Sequence, residues 1–373
     1  NDSHGNEGQS LTPDEYYWQI KTYDDRGSSS EYVGRNFTID MSVPSISFAA
    51  DPASPDGSNN WYKTAAPVIT IIASSLSSPV SQIYYKWDNA SEFTLYSEPI
   101  ISNEGIHTLY AYATNEAGNS GESSPTHIEY KTDATNSTVD IYVDPTSSNG
   151  NDGWYKSTVP KITFTAYDQT SGASDIYYYF DNNSENPIKY PGRENDGGTI
   201  SIPEGNHTVY YYNTDLAGNQ TQTFSREFKV DATMPTLESN VSSEPNTDIG
   251  WYKDIYPTIT LSATDLNSDS LTGSGVANIY YKWDNAEDYS SYSDTSITSN
   301  NLSDGIHTLY YYGEDIAGNK NSAQSKTIKL DSGNPSVSNI TPASTSPTNK
   351  LEVAFVWDNG NDGSAENGTE SGS

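Results

Sequence analysis

The sequence predicts an all-β protein made of several β-sandwich domains in tandem, arranged as a rod. Three observations carry this. Motifs recur at a near-constant spacing, short alternating apolar runs are separated by turn residues, and no window holds a helical period. Trp-Tyr-Lys opens at Trp61, Trp154 and Trp251, and Ala-Gly-Asn at Ala117, Ala217 and Ala317, 100 residues apart each time. Gly-Ile-His-Thr-Leu-Tyr at Gly105 has close copies at Gly205 and Gly305. Ile83-Tyr84-Tyr85, Ile176-Tyr177-Tyr178 and Ile279-Tyr280-Tyr281 lie between, each followed by an Asp: Asp88, Asp181, Asp284.

Within the second copy the strands read Asp140–Val143 (A), Lys161–Ala166 (B), Ile176–Phe180 (C), Thr199–Ile202 (E), His207–Asn213 (F) and Phe224–Val230 (G). Gly, Asn, Asp, Ser and Pro clusters separate them, which is turn chemistry. Seven short strands in about 95 residues is the sandwich pattern. Junctions resembling one another at Asp40, Asp133, Asp231 and Asp331 divide the chain into 1–41, 42–133, 134–231, 232–331 and 332–373. The first piece holds only F- and G-type strands, around Thr12–Gly27 and Phe37–Asp40. The last holds only A- and B-type strands, at Ser346-Pro-Thr and Leu351–Asp358.

Composition fits this organisation. Of 373 residues 33% are hydrophobic, too few for one large core, while 30 tyrosines suit small sandwiches with wet sheet faces. Fifty acidic against 18 basic residues give a formal charge of −32, which argues against nucleic acid and anionic lipid as partners. No apolar run reaches the length of a membrane span. The absence of cysteine excludes a disulfide framework without specifying a redox compartment. Asn1–Ser10 lacks the regions of a signal peptide, and with no initial Met the chain reads as a processed form or part of something longer.

These motifs resemble the immunoglobulin-like repeats of bacterial and archaeal surface proteins, and the Tyr16-Tyr17-Trp18 segment is similar to a fibronectin type III module. The resemblance covers residues 11–358. It implies tandem immunoglobulin-like/fibronectin type III-like sandwiches, an extracellular or cell-surface location, and a structural role in a rod, fibre or envelope layer. Two alternatives remain: a glycan- or receptor-binding adhesin, and a non-catalytic accessory region of a large secreted glycoside hydrolase or protease. No nucleophile motif, phosphate loop or dinucleotide fingerprint is present, so no enzymatic activity is expected. His107, His207 and His307 occupy one repeat position and read as packed, hydrogen-bonded residues of strand F, beside core aromatics Trp87, Phe180 and Trp283.

In such a sandwich the start of strand A, the B–C loop and the F–G loop share one end. That end holds Asp133, Asp168 and Asp215 in the second copy and Asp231, Asp265 and Asp315 in the third. Three converging carboxylates suit Ca2+, which takes six to eight oxygens in loose geometry. Asp in turns also caps backbone N–H groups, and both readings stand. The first copy has Asp40 with Ser75 and Asn115, losing both loop aspartates together, and has no Ser-Gly.

Asn-x-Ser/Thr sequons at Asn1, Asn36, Asn89, Asn136, Asn182, Asn206, Asn219, Asn240, Asn301, Asn339 and Asn367 are candidate glycosylation sites, in mild excess over chance. Tyr84, Tyr110 and Tyr112, with Tyr177, Tyr179, Tyr210, Tyr212, Tyr280, Tyr310 and Tyr312, form an outward aromatic face on strands C and F. Cross-strand packing is the preferred account, ahead of sugar stacking or lateral contact. Lys63, Lys156 and Lys253 read as ordinary edge residues without an isopeptide crosslink. The expected partners are copies of the chain or neighbouring domains of a longer one, the latter preferred, with glycans as a further possibility.

Overall fold

The computed structural model describes residues 11–192, 198–247, 249–267, 273–334, 338–342 and 355–358. It is almost entirely β, with short 3-10 turns at Ser58–Asn60 and Asn151–Gly153. The chain is a tandem of immunoglobulin-like/fibronectin type III-like β-sandwiches.

Repeat 2 shows the plan. Strand A (Thr138–Asp144) pairs antiparallel with B (Lys161–Tyr167), which pairs with E (Ile200–Ser201). Across the core, C (Ala173–Phe180) pairs with F (Gly205–Asp215), and F with G (Phe224–Asp231). Strands B and G are longer than the sequence reading by one residue, A and C by three and F by four, while E is shorter. Trp154–Lys156 was not foreseen as a strand. It pairs in parallel with the end of G, Trp154 opposite Lys229 and Lys156 opposite Asp231. Ile188–Lys189 adds a short antiparallel edge to C.

Repeat 3 repeats these sheets, with Thr236–Val241, Thr258–Thr264 and Ile297–Thr298 facing Tyr252–Lys253, Gln324–Asp331, Gly305–Asp315, Val276–Trp283 and Ser290–Ser291. In repeat 1 the same role falls to Ser45–Asp51, Val68–Ser74 and Ile100–Ile101 against Val80–Trp87, Gly105–Asn115 and Thr126–Thr132. Period-two alternation builds the cores. Along strand F, Val209 and Tyr211 are buried while Asn206 faces solvent. Val209 packs with Ile162, Phe164, Ile202, Phe228 and Val230. Leu109 and Leu309 take its place in repeats 1 and 3, both with no exposed surface. Each such side chain contributes about 1.5–3 kcal/mol by leaving water. Trp87, Phe180 and Trp283 pack against the edge of these clusters, half-buried.

Among the described residues, each flanking piece shows one pair of strands. Asp14–Ile20 pairs with Val33–Ile39, leaving Trp18, Ile20 and Val33 exposed. Ser338–Pro342 pairs with Phe355–Asp358. The strand expected at Ser346-Pro-Thr lies outside the described residues.

Candidate functional site

The carboxylates meet as the sandwich topology requires. Asp133 follows strand G of repeat 1 and leads into A of repeat 2, Asp168 follows B, and Asp215 ends F. Each of the three offers an oxygen, and these oxygens lie within 4.8 Å of one another; Asp231, Asp265 and Asp315 meet the same criterion. The second group is buried throughout, with Asp231 and Asp315 fully so.

The backbone cap proposed for these aspartates is present as well. Asp133 Oδ2 accepts from the Ser171 amide at 3.1 Å, and Asp168 Oδ1 from the Gly172 amide at 2.8 Å. Asp215 Oδ1 accepts from Gly218 and Asn219 at 2.7 and 2.9 Å. Repeat 3 reproduces this: Ser274 N to Asp231 Oδ2 (2.7 Å), Gly275 N to Asp265 Oδ2 (2.7 Å), and Gly318 N and Asn319 N to Asp315 Oδ1 (2.7 Å each). The two roles are compatible, because a carboxylate has about four lone-pair sites. One oxygen is left over: Asp265 Oδ1 is buried with no hydrogen-bond partner. Burial, then the Asp231 and Asp315 charges, push the Asp265 carboxyl up to about 6. Burial is also the first cause of the upward shift at Asp315.

Repeat 1 keeps the scaffold and changes the chemistry. The Asn of each Ala-Gly-Asn turn donates Nδ2 to the carbonyl of the junction aspartate: Asn119 to Asp40 (2.8 Å), Asn219 to Asp133 (2.9 Å), Asn319 to Asp231 (2.8 Å). The Ala amide of each turn donates to a serine, Ser78, Ser171 or Ser274. Where repeats 2 and 3 carry a second and third carboxylate, however, Asn115 donates Nδ2 to Asp40 Oδ2 at 2.9 Å. The Ser42 hydroxyl, the Ser42 amide and the Ser78 amide complete the set around Asp40, holding its carboxyl below the usual range against a smaller effect of burial. The amide of Asn115 thus meets the Asp40 carboxylate where Asp215 and Asp315 bring further carboxylates in repeats 2 and 3.

The junction joins neighbouring repeats as well. The Asp133 amide donates to Tyr62 O at 2.9 Å, and the loop before Tyr62 reaches the F–G turn of repeat 2. Ser58 N donates to Ala217 O (2.7 Å), Asn59 Nδ2 to Leu216 O (3.0 Å), and Lys63 Nζ to Gly218 O (3.2 Å). Between repeats 2 and 3, Asn151 N donates to Ala317 O (3.0 Å), Lys156 Nζ to Gly318 O (3.0 Å), and Ser157 Oγ to Asn319 Oδ1 (3.3 Å). Lys63 and Lys156 are therefore not ordinary edge residues, as the sequence reading held. Their ammonium groups tie one repeat to the next. The recurrence of Trp-Tyr-Lys at a fixed distance from Ala-Gly-Asn was the available signal, but sequence alone gave no reason to pair them across a junction.

The histidines are packed and hydrogen-bonded. His107, His207 and His307 place Nδ1 at 2.7, 2.9 and 2.7 Å from Asp88, Asp181 and Asp284. Nε2 faces the carbonyls of Glu104, Glu204 and Ser303. Both ring nitrogens of each histidine thus meet acceptors. The Asp88 hydrogen bond is the first cause raising His107 above its ordinary 6.5.

The tyrosines largely stack on one another. Tyr84–Tyr112, Tyr177–Tyr212, Tyr179–Tyr210 and Tyr280–Tyr312 are stacked cross-strand pairs with centroids 5.0–5.3 Å apart. Phe93 and Tyr289 abut Tyr112 and Tyr312 edge-on. Tyr110 and Tyr310 sit opposite Lys86 and Lys282. Much of the ring surface a sugar would stack on is used within the protein.

Of the sequons, Asn36, Asn89, Asn136, Asn182, Asn206, Asn240 and Asn301 are exposed. Asn219 is corrected: its Nδ2, the atom a glycan would take, donates to Asp133 O and Asp215 Oδ2 at 2.9 Å each. Asn339 lies in a strand whose side chains are outside the described set, as are Asn1 and Asn367 altogether.

The fold and this site define tandem immunoglobulin-like sandwiches with built junctions. Residues 199–289 match the family "Bacterial Ig-like domain (group 3)", from strand E of repeat 2 past strand C of repeat 3. Among solved structures, the chain is similar to fibronectin(III)-like modules of Clostridium thermocellum CbhA, at 19% identity over 50% of this chain and 95% of that one (TM-score 0.21). It is also similar to Bacteroides ovatus SGBP-B of a mixed-linkage glucan utilization locus, in complex with a heptasaccharide, at 14% identity over 84% and 77% (TM-score 0.18). No curated protein matches the chain.

Proposed function

We propose that this chain is a structural segment of an extracellular or cell-surface protein of a bacterium or archaeon, a rod of sandwiches whose junctions are stiffened by Ca2+. The observation that carries it is the repeated junction. Two successive boundaries use the same loop, lysine and turn, which independent domains on a loose linker would not need. Ca2+ is supported by the two three-carboxylate clusters, and by the buried Asp265 Oδ1 with no partner. A hard cation would relieve the repulsion that raises the Asp265 carboxyl. Self-assembly into a fibre or layer, with neighbouring domains or copies as partners, fits such a rod. Glycans on the exposed sequons also fit. The tyrosine stacking favours this spacer role over sugar binding on strands C and F.

Small-angle scattering of the full chain, in Ca2+ and after chelation, tests the reading. An elongated particle with a fixed maximum dimension in Ca2+ is expected, with a broader distribution after chelation. A compact particle in both buffers would overturn the rod, and indistinguishable curves would overturn the cation's part in it.

A further inference from the structure

Two glycines sit at the point of closest approach between repeats. Gly57 and Gly150 precede the Trp-Tyr-Lys motif by the same number of residues. Their backbones are extended, with φ −103° and ψ −178° at Gly57 and φ −105° and ψ −176° at Gly150. Any residue adopts that conformation, so the dihedral angles do not require glycine, although a Cβ would also stand 2.9 Å from the loop's own Trp61 or Trp154 carbonyl oxygen. Space is the reason. A Cβ at Gly150 would lie 2.5 Å from the Ala317 carbonyl oxygen of repeat 3, and one at Gly57 would collide with Ala217 O of repeat 2. Those two carbonyls accept the bonds from Asn151 and Ser58 that begin each inter-repeat contact.

Repeat 3 keeps the flanking Asn and Gly-Trp-Tyr-Lys and changes the three residues between them, the glycine's position among them. Asn246 grips Lys253 through both its amide atoms, at 2.8 and 2.6 Å, as Asn149 grips Lys156 at 2.9 and 2.8 Å. Between Asn246 and Trp251, however, stands Thr247 in the glycine's place. Its hydroxyl bonds the Trp251 amide at 2.7 Å and the Trp251 carbonyl at 3.0 Å. In repeats 1 and 2 the backbone amide of the glycine makes the bond to the tryptophan carbonyl instead, at 2.9 and 2.8 Å. The loop of repeat 3 is thus closed by a side chain where the other two leave room for a neighbour.

We infer that Gly57 and Gly150 specify a docking surface for the Ala-Gly-Asn turn of a following repeat, and that Thr247 withdraws this surface from repeat 3. Repeats 1 and 2 accept a sandwich of their own kind. Repeat 3 refuses one. The inference needs no cation and survives if the Ca2+ reading fails.

The chain has no cysteine, so two introduced cysteines carry spin labels without interference. Glu227→Cys and Lys326→Cys place labels on exposed positions of strand G in repeats 2 and 3. Double electron–electron resonance on the full chain in Ca2+ should give one narrow distance peak. Gly150→Thr should abolish it and leave a broad distribution. A second variant, Gly150→Thr/Asn151→Asp/Asp152→Ile, carries the loop sequence of repeat 3 itself, which this protein already folds. It should release repeat 3 equally, with hydrogen-exchange protection of strands B and F in repeat 2 retained. A peak that stays narrow in the grafted variant would overturn the inference. So would an equally broad distribution in the unmodified chain.

Discussion

The entry ends of repeats 1 and 3 are built on one frame and solve opposite electrostatic problems. Both clamp a junction aspartate through the asparagine of an Ala-Gly-Asn turn, and both hold the turn's alanine amide on a serine. In repeat 1 a single carboxylate, Asp40, is answered by the Asn115 amide and is complete as it stands. In repeat 3 three buried carboxylates face one another with a lone oxygen unpartnered. The frame is therefore independent of the charge placed in it, one carboxylate in repeat 1 and three in repeat 3. Ser75 shows the remainder of the exchange: it stands where Asp168 and Asp265 stand, and its buried hydroxyl has no partner.

The largest effect expected from this contrast is on removing Ca2+. Ligand that binds only the native state adds about 2.7 kcal/mol at a hundred times its Kd. Hydrogen exchange followed repeat by repeat in the full chain should show repeats 2 and 3 losing protection in chelator, with repeat 1 unchanged. Equal losses in all three would break the comparison.

Moving one repeat's chemistry into the other sharpens it. Asn115→Asp removes the donor to Asp40 and sets a second carboxylate against it, which should cost repeat 1 about 1–3 kcal/mol. The reverse change, Asp315→Asn, should act with opposite sign in the two buffers. It removes one of three repelling charges in chelator, stabilising repeat 3, and one ligand in Ca2+, destabilising it. A change of the same sign in both would show that the charges are not what distinguishes the two ends.

The smallest effect belongs to a feature the repeats share, and so serves as a control. His107 has its folded pKa raised by Asp88, so its contribution is fully present below the unfolded value near 6.5 and is lost as pH rises through the folded one. Asp88 is lowered in turn, chiefly by His107, so its share is present above about 3.8 and is lost as pH falls through the folded value. Both groups are partly exposed, and the pair should be worth under about 1 kcal/mol. His107→Gln should flatten the decline in repeat 1 stability between neutral and mildly alkaline pH. A slope that persists in this variant would assign it to other groups.

The sandwich was legible because its signals are local. Alternation in Val209-Tyr210-Tyr211 and turn residues around Gly205 and Gly218 fix strands without reference to distant chain. The aspartate clusters were also legible, since topology alone brings the start of A and the B–C and F–G loops to one end. What escaped were relations between repeats. Trp154–Lys156 was not foreseen as a strand because its pairing is parallel to strand G and carries no alternation pattern. The lysine contacts escaped because Lys63 and Gly218 are 155 residues apart and the acceptor is a backbone carbonyl, which leaves no trace in residue type. Asn219 stands apart from the other sequons for a related reason: the motif records the asparagine, but its Nδ2 is committed by the fold.

The position of Asp231 has a mechanical consequence. It ends strand G of one sandwich, with only residues 232–235 before strand A of the next (Thr236–Val241), and it is fully buried. Tension along the backbone must pass through this residue. Its carbonyl is tied to Asn319 and its carboxylate to the Ser274 amide, so a pull that draws it out of repeat 3 must break both bonds together. The same F–G turn is gripped by Lys156 of repeat 2 through Gly318. Load entering at Asp231 is thus divided between two attachments on one turn before it reaches the strands of repeat 3, and yielding begins at the seam only when both give way.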